Sequence, residues 1–136
     1  MDTNVIVAAM RSPRGASAEL LRTARRGGIV PIANVALALE YEATCLLAEH
    51  RLAAALSVKH VGIYVDAVLA MTEPTETHFL WRPQLRDPAD ELVLEAAVNG
   101  RADAIVTFNR RDFGSIPARF GIEVLTPGQT IRRLAK

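Results

Sequence analysis

The segment AIVTFNRRDF, residues 104–113, decides the fold class of this chain. Its first four residues, 104–107, form a compact apolar run that predicts a buried strand, and polar residues follow at once. Strand-like runs also occur at 29–33 and 122–125, with helical patterns before and between them. Strands that alternate with helices are typical of a parallel sheet covered on both faces. We therefore predict a three-layer α/β/α sandwich with a central, mainly parallel sheet.

The helices are predicted from apolar residues at helical spacing. Asn34 is a candidate N-cap for the second of them, and Pro88 with the acids around it indicates the start of the fourth. A further apolar stretch, 75–81, is a candidate third strand. The predicted helices cover residues 16–26, 35–56, 58–71, 87–98 and 128–134.

Length and composition restrict the class of protein. The chain has 136 residues, half of them hydrophobic, which fits one domain spanning residues 1–136. A single cysteine, Cys45, excludes an intramolecular disulfide framework and fits a reducing compartment. The sequence has neither a membrane-length apolar run nor a secretory signal pattern, so we expect a cytoplasmic location and no membrane partner. A net charge of +1 gives no global indication of a nucleic-acid partner.

Acidic and amide side chains fall where the predicted strands end. In open α/β sheets the working site lies outside the carboxyl ends of the strands. Oxygen ligands from converging carboxylates suit hard cations such as Mg²⁺ or Mn²⁺, and a cation would offset the repulsion between them. The residues that could meet there are Asp2, Glu40, Asp90, Asn109 and Asp112.

Four motifs around these acids resemble the PIN domain family, in the right order and at the right intervals. The resemblance covers nearly the whole chain. Within the family, the chain is most similar to the short bacterial toxins of toxin–antitoxin pairs, the VapC-like proteins. It implies a PIN-like, Rossmann-like fold and a metal-dependent endoribonuclease that uses Mg²⁺ or Mn²⁺. The motifs are DTNV at 2–5, ALEYE at 38–42, RDPADE at 86–91 and IVTFNRRDF at 105–113.

The resemblance also implies roles for individual residues. Asn109 matches the polar position of the family's Thr-x-Asn/Asp segment. Glu42 remains an alternative to Glu40, and Glu91 remains an alternative to Asp90. Asp87 is expected to serve the turn before its helix. The implied catalytic acids are Asp2, Glu40, Asp90 and Asp112, and the implied metal ligands are Asp2, Asp90 and Asp112.

RNA would need positive charge near this acidic group. Arginines occur beside the first and last motifs, although each is equally well explained as an ordinary solvated surface residue. Cys45 is predicted to lie in the core, and the three histidines show no ligand spacing. The candidate RNA-binding residues are Arg11, Arg14, Arg110 and Arg111.

The resemblance implies three partners: an RNA substrate, a cognate antitoxin protein and a second copy of the chain, paired through the helices at 35–56 and 58–71. Two other functions stay open, a PIN-like module that binds RNA or protein without cutting and a processing nuclease that is not a toxin. One departure from the family's pattern favours the first alternative, the module that does not cut. The family has an apolar central strand before its first aspartate, whereas here only Met1 precedes Asp2. Either the start was placed too late or most of that strand is lacking, which would misplace Asp2.

Overall fold

The computed structural model describes residues 1–76 and 84–136. Within these ranges no helix is long and apolar enough to cross a membrane. The strands are β1 (Ile32–Ala33), β2 (Glu73–Pro74), β3 (Ala104–Val106) and β4 (Glu123–Leu125), and Pro117–Phe120 is a 3₁₀ helix. The α-helices are α1 (Thr3–Arg11), α2 (Ala16–Arg25), α3 (Val35–Cys45), α4 (Ala48–Ala53), α5 (Val58–Ala70), α6 (Pro88–Asn99), α7 (Arg110–Phe113) and α8 (Pro127–Leu134).

The strands form two separate parallel pairs. In the first pair Ile32 lies opposite Glu73, and in the second Val106 lies opposite Leu125. The α/β class and the parallel pairing are therefore confirmed. The predicted single central sheet, and with it the three-layer sandwich, is not found in the part of the chain that the structure describes.

Strands β1 and β3 belong to different pairs. Both strands pack against α6, but a cleft of about 550 Å³ lies beside them. The resemblance to the family placed a central strand just before Asp2. Here the Asp2 amide donates to the carbonyl of Val106 at 2.8 Å. Asp2 therefore contacts β3 at the last residue of β3. The apolar side chains that line the cleft include Met1, Ile32, Leu37, Val93 and Ile105.

The predicted helix at 35–56 is two helices, α3 and α4. Asn34 caps α3 as predicted, since its Oδ1 accepts from the Leu37 amide at 2.8 Å. The helix breaks at Leu47, whose ψ of 134° is not helical. No proline or glycine marks this break. It lets α4 turn onto α1, where the side chains of Arg11 and His50 are joined at 3.1 Å.

The apolar run at 5–10 belongs to α1, and its buried side chains repeat at helical spacing. Val5, Ile6 and Ala9 are buried, and Ile6 belongs to the main core cluster. Fully burying one such aliphatic side chain contributes roughly 1.5–3 kcal/mol, before the entropic cost of ordering it. The Tyr64 hydroxyl donates to the Ile6 carbonyl at 2.6 Å and so joins α5 to α1.

The other predicted helices agree with the structure to within one or two residues at each end, namely α2, α5, α6 and α8. Cys45 is fully buried, as predicted, and burial raises the pKa of its thiol to about 11. The candidate strand at 75–81 lies mostly outside the described residues. The strand that the structure does describe, β2, ends just before it.

Candidate acidic active site

Asp2 lies where α1 begins and β3 ends. Its backbone is extended, and the side chain is only 6% exposed. Its Oδ2 accepts a hydrogen bond of 2.6 Å from the Thr107 hydroxyl. Burial raises the pKa of Asp2, and the bond from Thr107 opposes that rise. The carboxylate is thereby held in one orientation at the carboxyl end of a strand.

Thr107 is the residue that organises this end of β3, and sequence reasoning assigned it no role. It is fully buried, and its hydroxyl also accepts from the Asn109 amide at 3.0 Å. One side chain therefore orients Asp2 and shapes the turn that leads to α7. The sequence did contain a signal for this role. Thr107 is a hydroxyl residue at the end of an apolar strand, in the same segment as Asn109.

Asp90 lies in the first turn of α6 and is only 8% exposed. Asp87 caps this helix by accepting from the Ala89 amide at 2.9 Å, which is the turn role predicted for it. Burial raises the pKa of Asp90 to about 6, and the negative charges of Asp2, Asp87 and Asp112 add to the effect. Asp2 and Asp112 therefore each lie close enough to Asp90 for their charges to raise its pKa. We call these three residues the acidic site.

Glu91, the alternative to Asp90, has a different function in the structure. Its buried Oε1 accepts hydrogen bonds from the backbone amides of Gln84 and Leu85. Two backbone donors give this carboxylate a complete structural explanation, because buried charges need such partners. It holds the segment before α6 against the helix.

Asp112 and Asn109 belong to α7, the short helix after β3. Both side chains are exposed, with Asn109 at the N-cap position. Phe113, the next residue, is fully buried and anchors the helix in the core. Phe108 is 49% exposed and lies beside Asn109. This short helix therefore presents an acid and an amide near the end of β3.

Glu40 lies on α3, and its catalytic role stays a prediction. Its half-buried carboxylate accepts from the Thr44 hydroxyl at 3.4 Å, and it is not among the charges that raise the pKa of Asp90. Another residue of α3, Tyr41, contacts the residue before Asp2. Its hydroxyl donates to the Met1 carbonyl, and burial, with the charge of Asp2 added, raises its pKa. Glu42 is exposed.

Comparison with known families decides the family. A family model for the PIN domain matches residues 1–111. The chain belongs to the PIN domain family. The match includes Asp2, Glu40 and Asp90 and ends one residue before Asp112. Searches of curated proteins and of solved structures find no significant match.

PIN domains are generally metal-dependent nucleases, so the donor set of this one was compared with what a divalent ion needs. Among residues 1–76 and 84–136, no three acidic, histidine or cysteine side chains form a ready metal cage. Mg²⁺ seldom uses such a cage in enzymes, because it commonly binds one or two carboxylates and keeps several waters. Burial is the larger cause of the raised pKa of Asp90, and a cation would relieve the smaller part, which comes from the charges of Asp2, Asp87 and Asp112. The acidic site therefore fits a hard divalent ion chemically.

The candidate RNA-binding arginines of this PIN domain are all exposed. Arg110 and Arg111 lie on α7 together with Asp112. Arg11 and Arg14 lie at the end of α1 and in the loop that follows it. Positive charge therefore lies directly next to one member of the acidic site.

Proposed function

We propose that this PIN domain is a metal-dependent endoribonuclease that hydrolyses RNA phosphodiester bonds with Mg²⁺ or Mn²⁺. The observation that supports this most strongly is the pKa of Asp90, which burial first and then the charges of Asp2, Asp87 and Asp112 raise to about 6. Carboxylates with strongly shifted pKa values are more common at functional sites than elsewhere. The family match supplies the reaction class, since PIN domains are generally nucleases.

Each residue of the acidic site has a part in this mechanism. Asp2 is preoriented by Thr107 and so needs no rearrangement to bind. Asp90 would hold the cation as a carboxylate, and the positive charge would favour that ionised form. Asp112 is exposed on the same helix as Arg110 and Arg111, whose positive charges would attract a phosphate. When bound, the divalent ion polarises the phosphate and lowers the pKa of the water that attacks it.

The test is cleavage of a mixed RNA pool with Mg²⁺ or Mn²⁺ by the unaltered protein, Asp90→Asn and Asp87→Asn. We expect Asp90→Asn to lose at least about 100-fold in rate, as losing one key charge interaction commonly costs. Asp87→Asn is the matched control, since it removes a neighbouring charge while asparagine still caps the helix. It should cleave within a few-fold of the unaltered protein. Equal cleavage by Asp90→Asn, or none by the folded unaltered protein, would contradict the proposal.

We further propose that the nuclease is the toxin of a toxin–antitoxin pair and that it forms a homodimer. The sequence resemblance supports both parts. For the dimer, α3 and α5 pack side by side and expose apolar side chains, among them Val35, Leu39 and Ile63. The toxin assignment predicts growth arrest on expression, relieved by the product of a neighbouring gene. Expression of Asp90→Asn should not arrest growth. If the unaltered protein cleaves RNA but does not arrest growth, it would be a processing nuclease instead.

A further inference from the structure

A second cleft, separate from the acidic site, opens on the carboxyl-terminal side of the molecule. It has a volume of about 830 Å³ and lies between α7, β4 and α8. All but one of its lining residues follow residue 111, so they lie beyond the part of the chain matched to the family. We call it the basic cleft because of the cations that line it, Arg110, Arg132, Arg133 and Lys136.

The balance of charge in the basic cleft is strongly positive. Glu123 is the one acid among its lining residues. Its Oε2 accepts from Arg133 Nη1 at 2.5 Å, and each of the two charges offsets the other. Arg110, Arg132 and Lys136 then have no acid facing them across the cleft. Three cations around one concave surface attract a polyanion more strongly than the same charges scattered over a sphere.

The fold explains how these cations come to line one wall. Helix α8 begins with a capping box in which Thr126 and Gln129 bond to each other's backbone. This fixes the helix start, so Arg132 and Arg133 project from its last turn, where positive charge is favourable. The Arg132 guanidinium lies over the first turn, 3.7 Å from the point where a side chain on Gly128 would begin.

The basic cleft lies next to α7, the helix that carries Asp112 of the acidic site. Arg110 lines the cleft, and Asp112 follows two residues later in the same short helix. A polymer that contacts both Arg110 and Asp112 needs to span less than one turn of α7. A chain of phosphates fits this layout, because each arginine can bind a phosphate through two parallel hydrogen bonds.

We propose that the basic cleft binds the sugar-phosphate backbone of a single RNA strand that extends from the acidic site, an inference that rests on the proposed function. Arg132 and Lys136 would bind phosphates away from the bond that is cut. Their contribution is to affinity and positioning, without sequence preference, since phosphate contacts do not distinguish bases.

The experiment measures binding of a labelled polyuridine strand by fluorescence anisotropy in EDTA, where no divalent ion supports cleavage. Arg132→Gln/Lys136→Gln is compared with Arg25→Gln/Lys59→Gln, which removes two equally exposed cations that do not line the cleft. We expect the cleft variant to raise the Kd about tenfold or more. The slope of log affinity against log salt should fall by about 1.4, or about 0.7 for each phosphate that is no longer neutralised. The control should stay within about twofold, and circular dichroism should show both variants folded.

Three outcomes would overturn the inference. The first is an equal loss of affinity in the cleft and control variants. The second is an unchanged affinity in the cleft variant while the unaltered protein cleaves RNA, which leaves the proposed function intact. The third is tight binding of polyglutamate with the same dependence on the cleft and no binding of polyuridine, which would identify a site for an acidic peptide. Conversely, cleft-dependent RNA binding by a protein that never cleaves would support the cleft and contradict the nuclease proposal.

Discussion

The ionised form of Asp90 is unfavourable in the folded protein. Burial and three neighbouring aspartates raise its pKa to about 6, whereas an unfolded chain titrates it near ~3.9. The folded state therefore holds the Asp90 proton more tightly than the unfolded state does. Binding of this proton stabilises the folded state relative to the unfolded state. The stabilisation is complete below pH ~4 and is lost as the pH rises through about 6.

Replacing this carboxylate should therefore stabilise the protein while it abolishes the proposed activity. In the absence of divalent ions, we expect Asp90→Asn to raise the free energy of unfolding at pH 7 by about 1–2 kcal/mol, somewhat below the full linkage value. Urea unfolding checks this, and the gain should shrink towards zero at pH 3.5. A variant less stable than the parent at pH 7 would show that Asp90 is held by favourable contacts instead.

The hydroxyl of Thr107 is the second decisive feature at this scale. Thr107→Val keeps the shape of the side chain but removes the hydroxyl that donates to Asp2. The buried carboxylate then lacks a hydrogen bond, which should lower the free energy of unfolding by about 1–3 kcal/mol. We also expect a weaker dependence of the melting temperature on Mn²⁺, because Asp2 loses its orientation and its pKa rises. Thr107→Ser retains the hydroxyl and should recover most of the Mn²⁺ effect. Equal Mn²⁺ responses in all three proteins would remove Thr107 from the site.

At the scale of elements, the end of α6 meets β1 without room for a side chain. A Cβ at Gly100 would lie 2.6 Å from Ile32 Cγ2 and 2.9 Å from the Ala96 carbonyl oxygen. We expect Gly100→Ala to destabilise the fold by about 1–3 kcal/mol, as overpacking commonly does. Gly62, inside α5, has nothing within 4 Å of such a Cβ, so Gly62→Ala should stabilise by about 0.5–1 kcal/mol. Thermal unfolding of both variants tests the contrast, and a stabilising Gly100→Ala would mean that α6 and β1 are not in close contact.

Element ends with local causes were predictable, and those with tertiary causes were not. Asn34 and Asp87 cap their helices through amides two or three residues away, so a sequence pattern reveals them. The break at Leu47 has no such local marker. It follows from the packing of α4 on α1, which no short window of sequence contains.

At the scale of the whole molecule, the exposed apolar surface of α3 and α5 bears on assembly. Leu39 is 60% exposed and Val35 is 75% exposed, which is unfavourable for an isolated surface helix. If these helices form the proposed dimer interface, Leu39→Glu should convert the dimer to a monomer in light scattering. Val30→Glu, at a residue 62% exposed outside these helices, is the control and should leave the dimer intact. A parent protein that is monomeric at all concentrations would contradict the proposed dimer.

The sequence by itself determined the α/β class, most helix bounds and the PIN family, and it singled out the three aspartates that we propose as the acidic site. These follow from local periodicity, from capping residues and from motifs, each of which is written within a few neighbouring residues. Only the tertiary structure decided that Thr107 orients Asp2 across 105 positions of sequence, that Tyr41 contacts Met1, and that the strands of the described residues form two separate pairs. Each of these depends on which distant segments pack together, and a pattern in one stretch of chain does not specify its partner.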